Sequence, residues 1–398
     1  MSGLLSIEAA RERILERAQT LPAEAVPVEE TAGRVLADAA RAQVDLPPFP
    51  SSAMDGFAVR AADTPGRLPI VARIPAGRPA ERPLAPGEAM AIATGGVVPV
   101  GADAVVPVEA TSSDGDVVVV PDAAAPGAHV RARGGDIAAG ATVVAAGTRL
   151  GPAHVGALAA AGVATASCVR RPRAAVVTTG TELRRPGEPL APGEIYEANG
   201  LMLAAQLRSA GADVERLGSV EDDEAAHRAL LERALERDVV VTSGGVSVGP
   251  HDLVRRVLAD LGVDEVFWGV AVKPGKPLSF GVRGPTLVFG LPGNPVSSLV
   301  GFELFVRPAV EALSGSAEPG PRYEPGALAK AVRLNPHRTE LARARSSRTD
   351  DGVLLTLVRG QESHMIARAA DADALVYLPA GEGELAAGTR VRYLRLGA

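Results

Sequence analysis

The sequence predicts a multidomain α/β protein whose largest unit is a doubly wound, mostly parallel sheet with helices on both faces. Three observations predict it. Between residues 172 and 314, β-branched runs alternate with runs of helical spacing, and repeated βα units put strands in parallel with helices covering the sheet. Residues 57–132 carry short Val-rich runs, PIVARI, EAMAIAT, ADAVVPVEA and GDVVVVP, cut by Gly/Pro turns; they read as a small β-domain. Residues 326–398 repeat short strands with Gly turns and read as a small barrel. With domains of about 150 residues, a chain of this length holds about three.

The elements follow in order. Ser6 caps a first helix whose apolar positions Ile7, Ala10, Ile14 and Leu15 share a face. A second helix is expected near Glu29–Ala42. LPPFPSSAMDG (46–56) has three prolines and admits no regular structure. From 134, GGDIAAGATVVAAGTRLGPAHVGALAAAG returns to strand, turn and helix. The small β-domain is therefore expected as an insertion in an N-terminal α/β region. In the α/β unit the expected strands are Ala174–Thr178, Val214–Val220, Val239–Thr242, Val266–Val272 and Leu287–Phe289. The expected helices lie near Gly200–Ser209, Asp223–Glu236, Asp252–Leu261 and Val296–Leu313. EPGPRYEPG links this unit to the barrel. The resulting division is 1–46 with 133–171, 47–132, 172–316 and 317–398.

Composition excludes several function classes. Apolar residues make up 46% of the 398 and the net charge is −6, which excludes a disordered chain. The mildly acidic balance argues against nucleic acid as a partner. One cysteine, Cys168, excludes an internal disulfide framework and a Cys-rich zinc site; it sits in an expected strand as core. No apolar run reaches the ~18 residues that cross a bilayer, and residues 4–18 are amphipathic and charged, unlike a signal peptide. These features lead us to expect a cytoplasmic protein with no membrane partner.

In a parallel sheet, ligands bind beyond the carboxyl ends of the strands. Five loops fall on that edge. VTSGGVSVGPHD (241–252) leaves its strand through three glycines and ends in Asp252 at a helix start. Glycines let backbone N–H groups approach an anion, and a helix start adds partial positive charge. A tight turn uses glycine equally well, and Asp252 alone reads as a cap. TTGTELRRPGE (178–188) brings Glu182 just past Gly180, and VEDDEAA (220–226) brings Asp222. Each acid alone is a cap or a solvated charge. Three on one edge would repel unless a cation sits among them, and hard oxygen ligands suit Mg²⁺. VKPGKP (272–277) sets Lys273 and Lys276 beside those acids, where they can hold phosphate or an oxyanion. GLPGNPVSS (290–298) is stiffened by two prolines, with Ser297 or Ser298 near a helix start. Metal, lysines and Gly-rich N–H groups together describe a site for a phosphorylated ligand.

The chain resembles the molybdopterin molybdenumtransferase family, which inserts molybdate into adenylylated molybdopterin. The matching stretches are SSAMDGFA (51–58), ATGGVVPVGADAVVPVE (93–109), RGGDIAAG (133–140), TTGTEL (178–183), SGGVSVGPHD (243–252), VKPGKP (272–277) and GLPGNPVS (290–297). RTELARAR (338–345) and ESH (362–364) match more weakly. The resemblance implies a molybdopterin-binding α/β domain, an inserted β-domain, a split N-terminal segment and a C-terminal barrel, assembled as an elongated homodimer. It implies catalytic roles for Asp55, Thr94, Asp136, Lys273 and Lys276. It implies substrate contacts from Gly180, Ser243, Gly244, Gly245, Ser247, Pro292, Gly293, Asn294, Pro295, Arg343 and Ser363. It implies Mg²⁺ on Glu182, Asp222 and Asp252, molybdate and adenylylated molybdopterin as substrates, and AMP as a product. Contacts with the adenylyltransferase and with acceptor molybdoenzymes stay open. Two positions depart from the pattern: Gly269 stands where a basic residue is common, and Leu341 where an aromatic is common. Two rival readings are an adenylyltransferase, which lacks the inserted domain, barrel and MDG stretch, and a non-catalytic scaffold, which would lose the acid and lysine set.

Overall fold

The computed structural model describes residues 4–220, 224–245 and 253–397. Its central sheet has six strands: β1 (Arg173–Thr179), β2 (Asp213–Val220), β3 (Val239–Ser243), β4 (Asp264–Trp268), β5 (Ser279–Arg283) and β6 (Thr286–Leu291), ordered β2-β1-β3-β6-β5-β4. β2, β1, β3 and β6 are parallel. β5 runs antiparallel to both β6 and β4, so β4 again points the same way as β6. The strand β5 is not among those expected from the sequence. It is a hairpin partner of β6, joined through Gly284-Pro285, and its SFGVR run is short and interrupted by Gly281.

Side chains on a strand alternate between faces, and both faces of this sheet are covered. Ala174, Val176, Val239, Val241 and Phe289 point into one core, and Ala175, Val177, Val240 and Val288 into the other. The first core packs against helix α1 (Asn199–Ser209) and the helical stretch after β6, Pro295–Leu313, whose middle, Phe302–Val306, widens to a π-helix. It also takes in Ile7, Ala10 and Ile14 of the N-terminal helix Ile7–Leu15, whose Ser6 Oγ accepts the Ala9 N–H at 3.1 Å. The second core is closed by helices α2 (Glu224–Ala234) and α3 (Leu253–Asp260). Continuous Val/Ala runs in β1 and β3 are what a strand buried on both faces requires.

The second helix expected near Glu29–Ala42 does not form. A 3₁₀ turn, Val28–Glu30, leads into extended chain and the short strand Ala40–Arg41. The reason is tertiary: Leu36 donates to Thr148 O and Ala37 to Ser167 O, while Val35 and Leu36 are buried. Cross-chain bonds and burial outweigh a helical spacing that carries little intrinsic preference. Ala23–Pro27 pairs with Thr165–Val169, and Ala40–Arg41 with Thr142–Val144. The N-terminal region is therefore closed by segments on both sides of the inserted β-domain. That insertion is a six-stranded sheet of strands between Gly56 and Val120 with its own cores. Cys168 is buried in its strand, and burial pushes its thiol up from the ordinary value.

In the C-terminal region, Thr339–Thr349, Gly352–Leu357, Tyr323–Leu328, Arg390–Arg395 and Ala374–Leu378 pair in that order, and the last returns to the first. The result is a closed five-stranded barrel. Its first strand also receives a sixth, foreign segment: Val272–Lys273 pairs in parallel with Thr339–Glu340. Leu341, next along that strand, is 1% exposed and joins the core of the α/β unit. An aliphatic side chain fills that joint.

Candidate functional site

Two clefts open at the carboxyl ends of the parallel strands. The first has a volume of 510 Å³. Thr178, Thr179 and Glu182 from the β1 loop form one wall, Ser243, Gly244 and Gly245 from the β3 loop form the floor, and Gly293, Asn294 and Pro295 from the β6 loop form the other wall. Gly244 and Gly245 both have positive φ, +92° and +64°. A Cβ on Gly244 would sit 3.0 Å from Thr179 Oγ1, so the β3 loop keeps its bare backbone against the β1 loop. Gly180 lies beneath Glu182, whose carboxylate folds back over it.

Asn199, at the start of α1, ties this floor together. Its Nδ2 donates to Ser243 Oγ at 2.8 Å and to Gly293 O at 2.7 Å. Two residues earlier, Glu197 is buried, accepts the Gly200 N–H at 2.5 Å and pairs with Arg216 at 2.9 Å. A two-stranded parallel pairing of Leu183–Arg184 with Ile195–Tyr196 carries Ile195 and Tyr196 to the cleft rim. Asn199, Glu197 and Tyr196 are not among the residues singled out from the sequence. The Asn-Gly start of α1 gives a capping signal only, with nothing local to mark its two long-range acceptors.

The second cleft, of 290 Å³, shares Asn294 with the first. Lys273, Pro274, Gly275, Lys276 and Pro277 line one side, Pro292 and Ser297 the base, and Arg338, Gln361, Glu362 and Ser363 of the barrel the other side. Lys273 Nζ lies 3.2 Å from Glu340 Oε2. Lys276 is exposed, and its side chain has no ion-pair or hydrogen-bond partner among the described residues. Arg338 immediately precedes the Thr339–Glu340 pairing; its backbone N–H donates to Asn335 Oδ1, and its side chain has no partner among the described residues. Two cations without side-chain partners among the described residues therefore line a small cleft whose third cation, Lys273, is already neutralised. A tetrahedral oxyanion is the chemistry that such a set holds.

Gly269, the position without the expected basic group, has φ +86°, and a Cβ there would lie 2.8 Å from Leu4 Cδ2. The chain passes the N-terminal segment at this point: Leu5 and Val270 form a parallel bridge. Arg338 of the barrel lines the neighbouring smaller cleft.

Other residues singled out from the sequence fall elsewhere. Arg343, expected at the substrate, is 0% exposed. Its guanidinium donates to Met365 O at 2.7 Å, Gly360 O at 2.6 Å and Glu362 O at 3.2 Å. A side chain enclosed in this way cannot touch a ligand. It fixes the 360–365 loop, and Ser363 O in turn accepts the Val296 N–H at 3.0 Å. Burial pulls the Arg343 pKa below the ordinary arginine value. Asp55, Thr94 and Asp136 line neither cleft of their own chain. Asp55 Oδ1 accepts the Thr94 N–H at 2.6 Å and Thr94 Oγ1–H at 3.0 Å. These bonds hold the exposed carboxyl below the usual range, the backbone bond contributing most. Gly56, beside it, is fixed by packing, since a Cβ would run into Val106 O. Asp136 is exposed, with its N–H on Leu46 O.

Asp222, Ser247 and Asp252 lie outside the described residues. Among the described residues no group of three or more His, Cys, Asp or Glu could hold a metal. Glu182 fits a hard cation all the same. Its carboxylate lines the first cleft beside the Thr178 and Thr179 hydroxyls and has no protein donor among the described residues. No helix among the described residues is long and apolar enough to cross a membrane.

Residues 5–162 match the MoeA N-terminal region (domain I and II), residues 175–312 the probable molybdopterin binding domain, and residues 325–396 the MoeA C-terminal region (domain IV). The chain is 40% identical over 384 residues to molybdopterin molybdenumtransferase 2 of Mycobacterium tuberculosis, covering 92% of this chain and 93% of that one. It is 34% identical to the molybdopterin molybdenumtransferase of Bacillus subtilis, covering 93% and 89%. A crystal structure of the molybdopterin biosynthesis moea protein from Pyrococcus horikosii superposes with a TM-score of 0.83 at 32% identity over the whole of both chains. The same three regions, in the same order and nearly end to end, place this chain in the molybdopterin molybdenumtransferase family.

Proposed function

We propose that the chain is a transferase that inserts molybdate into adenylylated molybdopterin and releases AMP. The observation that carries this reading is the pair of adjoining clefts that share Asn294. The larger, floored by Gly244 and Gly245, takes the pterin and its phosphates. The smaller, between Lys276 and Arg338, takes molybdate. Ordered this way, the enzyme holds two substrates side by side and removes the entropic cost of their encounter. Ser243 and Gly293, both fixed by Asn199, orient the phosphates. Lys276 and Arg338 neutralise the oxyanion, and Lys273, paired with Glu340, shapes its edge. The two thiols of the pterin replace one oxygen of molybdate, which takes up their protons and leaves as water with molybdenum still hexavalent, and attack of water on the phosphoanhydride frees AMP and leaves the pterin its phosphate. Glu182, with Asp222 and Asp252 as the resemblance implies, would hold Mg²⁺, which would supply Lewis-acid polarisation of that linkage. The adenylyltransferase and scaffold readings are not favoured, because relatives named molybdenumtransferases match nearly the whole chain and the lysine pair is present. The reading carries with it a homodimer in the cytoplasm.

The test is AMP release from adenylylated molybdopterin by the purified protein with Mg²⁺ and molybdate. AMP should appear only with the oxyanion, and AMP released equally without it refutes the transferase. Lys276→Ala should raise the molybdate concentration for half-maximal rate by about tenfold or more, as loss of a hydrogen bond to a charged group implies. The pterin requirement should change little. An unaltered molybdate titration removes Lys276 from oxyanion binding.

Asp55 is assigned as a proton acceptor or positioning carboxylate, since Thr94 keeps it ionised. A depressed carboxylate holds its charge throughout the range above the ordinary value and loses it as pH falls through the lowered one. Thr94→Val removes the hydroxyl donor and leaves the N–H. The acid limb of the rate profile should therefore move to higher pH. A limb that stays in place means that Asp55 ionisation does not govern turnover.

Because Asp55 lines neither cleft of its own chain, it is assigned to the partner's cleft in the homodimer. Asp55→Ala and Lys276→Ala proteins, each impaired, should then complement when their subunits exchange. Random exchange makes about half of the dimers mixed, each with one intact site, so roughly a quarter of wild-type activity should return. Mixed dimers identified by two tags that remain as impaired as their parents would place Asp55 in cis.

A further inference from the structure

A third cavity, of 470 Å³, lies away from both clefts at the junction of three regions. The split N-terminal region contributes Arg149. The α/β unit contributes Glu303, Arg307 and Glu311, the linker Arg322, and the barrel Glu324 and Arg395. Four arginines and three glutamates therefore line one space, an excess of one positive charge.

Two of the carboxylates are paired with arginines, and the third, Glu311, accepts a backbone N–H. Glu303 accepts from Arg307 at 2.5 and 3.0 Å and from Gln206 at 2.8 Å. Glu324 accepts from Arg395 at 3.2 and 3.3 Å and from the Tyr393 hydroxyl at 2.6 Å. Glu311 accepts the Gly320 N–H at 3.1 Å, which pins the linker to the cavity wall. Two cations keep donors to spare. Arg149 reaches the carbonyls of Gly33 at 2.9 Å and Ala210 at 3.3 Å, and no carboxylate among the described residues pairs with it. Arg322 is exposed, and its side chain has no hydrogen-bond or ion-pair partner among the described residues. Burial is the main cause lowering the Arg149 pKa; nearby Glu311 opposes it, while Arg322, Arg307 and Arg171 add to it. Arg149 is thus drawn by Glu311 and repelled by the three arginines, and among the described residues no carboxylate lies within ion-pair distance of its guanidinium.

We propose that this junction cavity is an anion site, in which Arg149 and Arg322 bind a phosphate or phosphomonoester between the N-terminal region, the α/β unit and the barrel linker. Guanidinium groups suit the planar, multidentate recognition of phosphate oxygens. A ligand here touches three regions at once, so its binding free energy adds to the stability of their arrangement. The site is distinct from the oxyanion cleft, with which it shares no lining residue.

The test uses the full-length protein and inorganic phosphate at constant ionic strength, followed by calorimetric titration and by the thermal midpoint. Phosphate should bind saturably and raise the midpoint. Arg322→Ala should weaken that binding about tenfold or more while leaving the midpoint without phosphate, and AMP release in its absence, unchanged. Arg149→Lys should weaken it as well, since an ammonium cannot replace the fork. AMP in place of phosphate separates the sources: tighter binding lost with Arg322→Ala marks a nucleotide ligand, and equal binding marks free phosphate, both within the proposal. Three outcomes overturn it: no saturable binding at millimolar phosphate, binding unaffected by Arg322→Ala, or binding lost only with Lys276→Ala, which places the ion in the oxyanion cleft.

Discussion

The site depends on one backbone pairing between two domains: Val272–Lys273 against Thr339–Glu340. The short segment that follows β4 leaves its own sheet and joins the barrel. Thr339 N–H on Ala271 O, at 3.2 Å, adds a further bond. That pairing puts Lys273 beside Glu340 and brings Arg338 across from Lys276. Leu341 then enters the α/β core directly behind it. The cations of the smaller cleft come from separate domains, so a rigid seam is the condition for their convergence. Arg343 serves the same seam from inside the barrel. It spends its donors on the 360–365 carbonyls, and Ser363 returns a carbonyl to Val296 at the start of the helix after β6.

The larger cleft obeys a second constraint, close backbone approach. Gly244 meets the β1 loop, Gly293 meets Gly244, and Asn199 locks both loops through two hydrogen bonds. A single amide at the start of α1 thus ties together loops that lie far apart in sequence. Bare N–H groups, a Glu182 carboxylate without a donor among the described residues, and two cations next door form an ordered gradient of charge along one edge. A ligand with a phosphate chain at one end and a group awaiting an oxyanion at the other matches that order.

Much of this is legible in the sequence, because local chemistry dictates it. The Val/Ala runs of β1 and β3 fit only strands covered on both faces. Ser6 announces the first helix, and the loops at the strand ends carry the glycines, lysines and prolines that line the clefts. What is illegible depends on contacts distant along the chain. The expected helix near Glu29–Ala42 yields to pairing with residues 148 and 167. The strand β5 is visible only as a partner of β6. Arg343 has the composition of an anion ligand and the burial of a scaffold, and no spacing distinguishes the two. Asn199 resembles a cap because its two acceptors lie 44 and 94 residues away.

Anomalous diffraction from crystals soaked in tungstate, a close mimic of molybdate in size and charge, tests the central claim most directly. The predicted result is an anomalous peak in the seam cleft, bounded by Lys276 of the α/β unit and by Arg338 and Ser363 of the barrel. A fully occupied peak elsewhere, with that cleft empty, would contradict the claim that the pairing of residues 272–273 with 339–340 builds the oxyanion site.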